Sequence, residues 1–225
     1  MTQQSLPAVF MRGGTSKAVV FRQEDLPADR SAWPAVFMSV MGSPDPYGRQ
    51  LDGMGGGISS LSKVCVVGPS SRPDADIDYT FAQVAVDAPV VDLAGNCGNM
   101  SAAMGPFAID EGLVVLTSDH EAVVRINNTN TDRVIVARFP VVDGRAAVLG
   151  DEQVDGVAGT GAQVRLDFLD PAGGKTGSCC PQVTRWTSSR SETASLSRPR
   201  WWTSRTPACS SRPPPWAWTE PSHQT

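Results

Sequence analysis

An α+β fold is predicted for the chain on three observations. Short runs rich in β-branched residues recur between polar or Gly/Pro breaks, only two stretches carry helical periodicity, and strands and helices do not alternate as βαβ units would require. The strand runs, in order, are "KAVVF" (Lys17 to Phe21), "SKVCVV" (Ser62 to Val67), "YTFAQVAV" (Tyr79 to Val86), "EAVVRI" (Glu121 to Ile126) and "RVIVARFPVV" (Arg133 to Val142). "NNTNTD" (Asn127 to Asp132) separates the last two and reads as a hairpin loop. A first helix is expected over Arg30 to Met41 despite Pro34, which suits a first turn better than an interior. A second should begin after Asn96, because Met100, Ala103, Met104, Phe107 and Ala108 follow the 3.6-residue period. Pro106 is expected to kink it.

Composition narrows the function classes. At 225 residues with 40% hydrophobic content there is material for a real core. The final 48 residues, Ser178 to Thr225, are different: they hold five of the six Trp, ten Ser, seven Pro and six Arg, but no Gly, Ile, Met or Phe. Setting them apart leaves thirteen basic and twenty-one acidic residues before Ser178, an acidic domain without the basic stripe that nucleic acid requires. No apolar run approaches the roughly 20 residues of a membrane span, and the N-terminus lacks the pattern of a secretory leader. The expected location is cytoplasmic, with neither nucleic acid nor membrane as partner. Of five cysteines, Cys179, Cys180 and Cys209 fall in the tail, and the remaining Cys65 and Cys97 make neither a disulfide framework nor a zinc site. No metal or organic cofactor is expected.

Three Gly-rich stretches fail as nucleotide motifs. "DGMGGGISS" has Ile58 where G-x-G-x-x-G needs its last Gly, "GGKTG" has Leu169 where a phosphate loop needs its first, and "RGGTSK" fits neither. Tight turns would explain all three. The loops that open at Arg12 and Asp52, however, end in hydroxyl and ammonium donors: Thr15, Ser16 and Lys17 in one, Ser59, Ser60, Ser62 and Lys63 in the other. N–H and O–H donors beside a cation suit a di- or tricarboxylate better than a nucleotide. Cys97, between two Gly-Asn steps at the expected helix start, would meet the free N–H groups and positive dipole end of a first turn. Such a place can lower a thiol pKa from about 8.5 toward neutrality. Cys65, inside a strand run, reads as a small buried hydrophobe.

Taken together, "MRGGTSK", "GSPDPYGRQLDGMGGGISSLSKV", "DIDYTFAQV", "GNCGNMSAAMGPFAIDEGL" and "DGVAGTGA" resemble the 2-methylaconitate isomerase family, which includes 4-oxalomesaconate tautomerases and methylitaconate isomerases. The resemblance runs from Pro7 to Gly177 and implies a diaminopimelate epimerase-like half: a mixed, mostly antiparallel sheet curled around a central helix. Family members are built from two such halves, with the active site in the cleft between the two helix N-termini. The resemblance implies Lys63 as proton acceptor and donor and Cys97 as the thiol facing substrate. It further implies substrate contacts from Ser16, Ser59, Ser60 and Ser62, with Leu61 in place of a more usual threonine. Lys17 is taken as a neighbour of Lys63 able to perturb it, and Asn96, Gly98 and Asn99 complete the set around Cys97. The implied reaction moves a double bond, or exchanges cis for trans, in a small unsaturated polycarboxylate by allylic proton transfer. A racemase or epimerase, and a non-catalytic fragment that binds carboxylate weakly, are the alternatives. A homodimer is the assembly considered for the full-length family form.

The domain division expected from the sequence is 1–177 as an N-terminal half-domain and 178–225 as an aberrant tail. A shifted reading frame accounts for the tail's composition: taking each codon's last base with the next two, every "WT" becomes Asp and "WW" yields Val. The expectation that follows is a chain lacking its second half.

Overall fold

The computed structural model describes residues 4–169, so the tail and the division at Gly177 lie outside the described residues. Nine strands form one mixed sheet: β1 (Val9–Gly13), β2 (Ser16–Arg22), β3 (Lys63–Pro69), β4 (Ile77–Val84), β5 (Val91–Asp92), β6 (Glu121–Asn128), β7 (Arg133–Val142), β8 (Arg145–Ala146) and β9 (Arg165–Phe168). The order is β1-β2-β3-β4-β6-β7-β8, with β5 on β4 and β9 on β7. Pairing is antiparallel except for β2 with β3 and β4 with β6. A parallel pair needs a long crossover, and each of these two has a helix in it: α1 (Trp33–Met41) between β2 and β3, α2 (Gly98–Asp110) between β4 and β6.

The two helices take opposite faces of the sheet, and the period-2 alternation of the strands decides which side chains each one meets. Ala18 and Val20 of β2, Cys65 and Val67 of β3, and Tyr79 and Phe81 of β4 face α2. They form one core with Met100, Met104 and Phe107 of the helix and Ile126, Ile135 and Phe139 of β6 and β7. Val19, Phe21, Val64, Val66, Ala82 and Val84 face the other way and pack on Trp33, Phe37 and Met41 of α1. Because α2 touches strands from β1 at one end of the sheet to β7, β8 and β9 at the other, the sheet must curl around it. A central helix in a curled, mostly antiparallel sheet is the architecture the resemblance implied.

Local chemistry explains the helix boundaries. α1 buries Trp33, Phe37 and Met41, an i, i+4, i+8 stripe, and holds Pro34 in its first turn. It ends at Gly42, whose left-handed φ of 72° lets its N–H return to the last carbonyls. α2 starts immediately after Cys97 and continues through Pro106 to Asp110. At Gly105 a Cβ would lie 2.7 Å from the Phe139 ring and 3.0 Å from Ala137 Cβ, so the absent side chain is what allows the helix to lie this close to β7.

Four short strands went unrecognised in the sequence: β1, β5, β8 and β9. β1 does alternate, with Val9 and Met11 packed on the α2 side, but five residues with Arg and Gly among them give a weak signal. The Asn127–Asp132 hairpin is shorter than expected. β6 extends through Asn128, and the turn closes with Asp132 at a φ of 52°.

Candidate active site

Lys63 and Gln83 are partners in the β3–β4 register, on the α2 side of the sheet, one alternation step beyond the pair Cys65 and Phe81. The Lys63 side chain is buried, 7% exposed. Its Nζ donates to Gln83 Oε1 and stands 5.2 Å from the centroid of the Phe81 ring. Among the described residues Gln83 is the only hydrogen-bond acceptor the amine meets.

At the same end of this face stands the entry of α2. Cys97 is the N-cap, half-buried, in extended backbone and without a side-chain cap bond, so its carbonyl takes the Ser101 N–H at 2.9 Å while the earlier first-turn N–H groups keep no side-chain acceptor. Those groups and the helix dipole make this a place of positive potential. Beneath it lies a polar chain: the single Ser101 hydroxyl hydrogen is shared between the Cys97 carbonyl at 3.0 Å and Asn96 Oδ1 at 3.3 Å, and the Cys65 thiol lies 3.9 Å from the Tyr79 hydroxyl. Burial pushes the Tyr79 phenol well above its ordinary value, Cys65 and Cys97 push it further, and Ser101 opposes them. Burial likewise raises the Cys65 thiol; Tyr79 opposes, Cys97 adds to the rise, and Lys63 opposes. The parallel β2–β3 register, in which Val19 pairs with Val64, and the Asn99 bond to Ser16 put the helix entry and Lys63 at the same end of the concave face. Cys65 itself is fully buried, as the sequence predicted.

The β1–β2 turn closes onto the same helix entry. Asn99 Nδ2 donates to Thr15 Oγ at 3.0 Å and to Ser16 Oγ at 3.3 Å. Gly13 and Gly14 let the turn come this near: a Cβ on Gly13 would sit 2.3 Å from the Asn99 carbonyl oxygen, and one on Gly14, at a φ of 51°, 2.7 Å from Asn99 Oδ1. Ser16, Asn96, Cys97, Gly98 and Asn99 are thus gathered at one place by the fold. Gly98 is exposed, with open space where a side chain would be.

The serine loop arrives from the other side. Ser59–Leu61 form a short 3-10 turn, with Ser59 exposed and Ser60 half-buried, leading directly into Lys63. Two glutamines hold it. Gln83 Nε2 donates to the carbonyls of Ser62 (2.8 Å) and Ser59 (3.0 Å). Gln50, buried and at a φ of 52°, donates to the Ser62 and Ser43 hydroxyls and accepts from the Gly57 N–H.

Two residues of the expected set stand elsewhere. Lys17 alternates with Ser16 and so projects from the opposite face of the sheet, where its Nζ stands 5.2 Å from the centroid of the Phe10 ring. It is not the neighbour of Lys63 that the sequence led one to expect. Ser62 shares the parity of Val64 and Val66, is fully buried, and donates to the Val84 carbonyl at 2.9 Å while accepting from Gln50. Its hydroxyl holds the loop and is not presented to open space. Gln83 and Gln50 were missed because both act through contacts set by strand register and loop closure, which no local spacing reveals.

Asp45 secures the start of the Gln50 loop. Its carboxylate accepts the backbone N–H groups of Tyr47 (2.9 Å), Arg49 (2.9 Å) and Gln50 (2.6 Å), and the Tyr47 bond, followed by that from Arg49, holds it below the usual carboxylate range. A depressed folded-state value means that the contribution is fully present above the ordinary value of about 4 and is lost as pH falls through the lower folded value. The Arg49 and Gln50 amide resonances should therefore shift as pH is lowered below about 4, and Asp45→Ala should remove that titration. An open cavity of about 630 Å³ beside this loop, lined by Met38, Ser43, Pro44, Asp45 and Arg49, is separate from Lys63 and Cys97. Among the described residues no cluster of His, Cys, Asp and Glu could hold a metal ion, and no helix is long and apolar enough to cross a membrane.

The chain is 48% identical over 182 residues to a 2-methyl-aconitate isomerase of Cupriavidus necator, covering 78% of this chain and 46% of the relative. It is 48% identical over 179 residues to a 3-methylitaconate isomerase of Eubacterium barkeri, covering 80% and 46%. It is 46% identical over 181 residues to a 4-oxalomesaconate tautomerase of Pseudomonas putida, covering 80% and 49%. The chain spans about half the length of the curated relatives it matches. The crystal structure of a methylitaconate-delta-isomerase superposes with a TM-score of 0.72 at 48% identity, covering 77% of this chain and 44% of that one. The model of the PrpF protein family matches residues 3–189, most of the chain, and with the helix entry, the Ser-rich loop and the lysine all lying within that match, the chain belongs to the PrpF family.

Proposed function

We propose that the chain carries the lysine half of an isomerase site for small unsaturated di- or tricarboxylates of the methylaconitate, methylitaconate or oxalomesaconate type. The single observation that supports this most is the Lys63 amine: buried, with Gln83 as its one acceptor among the described residues, and at the same end of the concave face as an uncapped helix entry whose N-cap is Cys97. A neutral amine there takes an allylic C–H proton from the bound acid and returns it to another carbon of the same molecule. The double bond moves, and no atom is gained or lost. Negative charge spreads over the substrate's carboxylate as the proton leaves. The first-turn N–H groups of α2 stabilise it, with the Ser16, Ser59 and Ser60 hydroxyls and the Asn96 and Asn99 amides as further donors to the carboxylates. Cys97 lies against the substrate as a neighbouring group, while Ser62 supports the loop and Lys17 takes no part.

The test follows the ultraviolet absorbance of the three acids with two proteins: the chain as it stands, and a version with its reading frame shifted back from codon 178. Conversion of any of the acids by either protein is the expected result. No conversion and no uptake of solvent deuterium into any of them, with both proteins folded, overturns the reading.

A further inference from the structure

We propose that Gln83 is a positioning residue for the Lys63 amine, holding its lone pair toward the substrate and coupling the base to the serine loop. This rests on Lys63 being the base, as argued above.

Gln83 and Lys63 are directly opposed in the β3–β4 register. The Gln83 amide orientation follows from its partners: Nε2 has two hydrogens, and the carbonyls of Ser62 and Ser59 lie 2.8 and 3.0 Å from it. Turning the amide over would set Oε1 against two carbonyl oxygens, so Oε1 is left facing Nζ. Two consequences follow. Gln83 accepts from the amine and, with both hydrogens engaged, cannot donate to it, so the lone pair of a neutral Lys63 is not quenched by its nearest polar neighbour. The Phe81 ring closes another side of the amine, leaving the lone pair directed away from both groups. In addition, one amide group ties the base to the backbone of the Ser59 to Ser62 turn, so that the donors on that turn and Lys63 hold a fixed separation.

The experiment needs no substrate, so it stands even where the isomerase reading fails. The full chain is trace-labelled with acetic anhydride over a range of pH, and acylation of Lys63 and of Lys17 is read by peptide mass spectrometry, with Lys17 on the opposite face as internal reference. In Gln83→Glu, a carboxylate beside the amine should raise the pH of half-maximal Lys63 labelling by about one unit or more, with the Lys17 profile unmoved. In Gln83→Met, which keeps the length and removes the acceptor, that midpoint should fall and Lys63 should label faster relative to Lys17. Circular dichroism checks that each variant is folded. Should both folded variants, or the Met variant alone where the Glu variant does not fold, keep the wild-type Lys63 midpoint and labelling ratio, the proposal is overturned.

Discussion

Lys63→Ala is expected to lower the rate of isomerisation by about a thousandfold, within the range that a positioned general base contributes, in whichever form of the protein turns over. The fall should appear in kcat with little change in KM, because in the proposed reaction the amine acts on a C–H bond while the carboxylates are held by other groups. Stability should change little or rise. The alanine variant no longer buries an amine, and although the Gln83 oxygen loses its one donor, the Gln83 nitrogen keeps both of its carbonyl partners. The measurement is a steady-state rate by ultraviolet absorbance together with a urea melt. A variant that loses activity only in proportion to lost folded protein would show Lys63 to be structural.

Gly13→Ala is expected to destabilise the described domain by about 3 kcal/mol, near the upper end for forcing atoms into a packed site. The added carbon would stand 2.3 Å from a backbone oxygen and 3.0 Å from Met100 Cα, and these belong to a helix fixed by core residues on its other side. A flexible side chain could swing away; this oxygen cannot move unless the first turn of α2 moves with it. The β1–β2 turn must therefore lift from Asn99, and both the Thr15 and Ser16 bonds go with it. Urea denaturation should show the loss, and the substitution should also disturb carboxylate binding, since Ser16 and the helix entry are brought together by this contact. Gly98→Ala, one turn edge away in open space, is the control and should be within about 0.5 kcal/mol of wild type.

Much of this was legible in the sequence, and the reason is period. The five long strands carry their β-branched residues in runs too dense for loops. The start of α2 is marked by a 3.6-residue repeat of Met, Ala and Phe, whereas Pro34 is tolerated because α1 begins at Trp33, three residues later than the sequence suggested. The architecture came from the family resemblance, since curl and strand order depend on contacts between distant segments. The sequence misled where adjacency was taken for proximity. Ser16 and Lys17 are consecutive, as are Ser62 and Lys63, and in each pair the strand turns one residue to the concave face and its neighbour to the other. Gln83 lies twenty residues from Lys63, and only the antiparallel register of β3 with β4 makes them partners.

Incorporation of solvent deuterium into the substrate carbon skeleton, measured by mass spectrometry for wild type, Lys63→Ala and Cys97→Ser, tests the assignment of the base most directly. Exchange abolished in Lys63→Ala and kept within about tenfold of wild type in Cys97→Ser is the predicted outcome. Exchange that survives the loss of the amine and disappears with the thiol would contradict it.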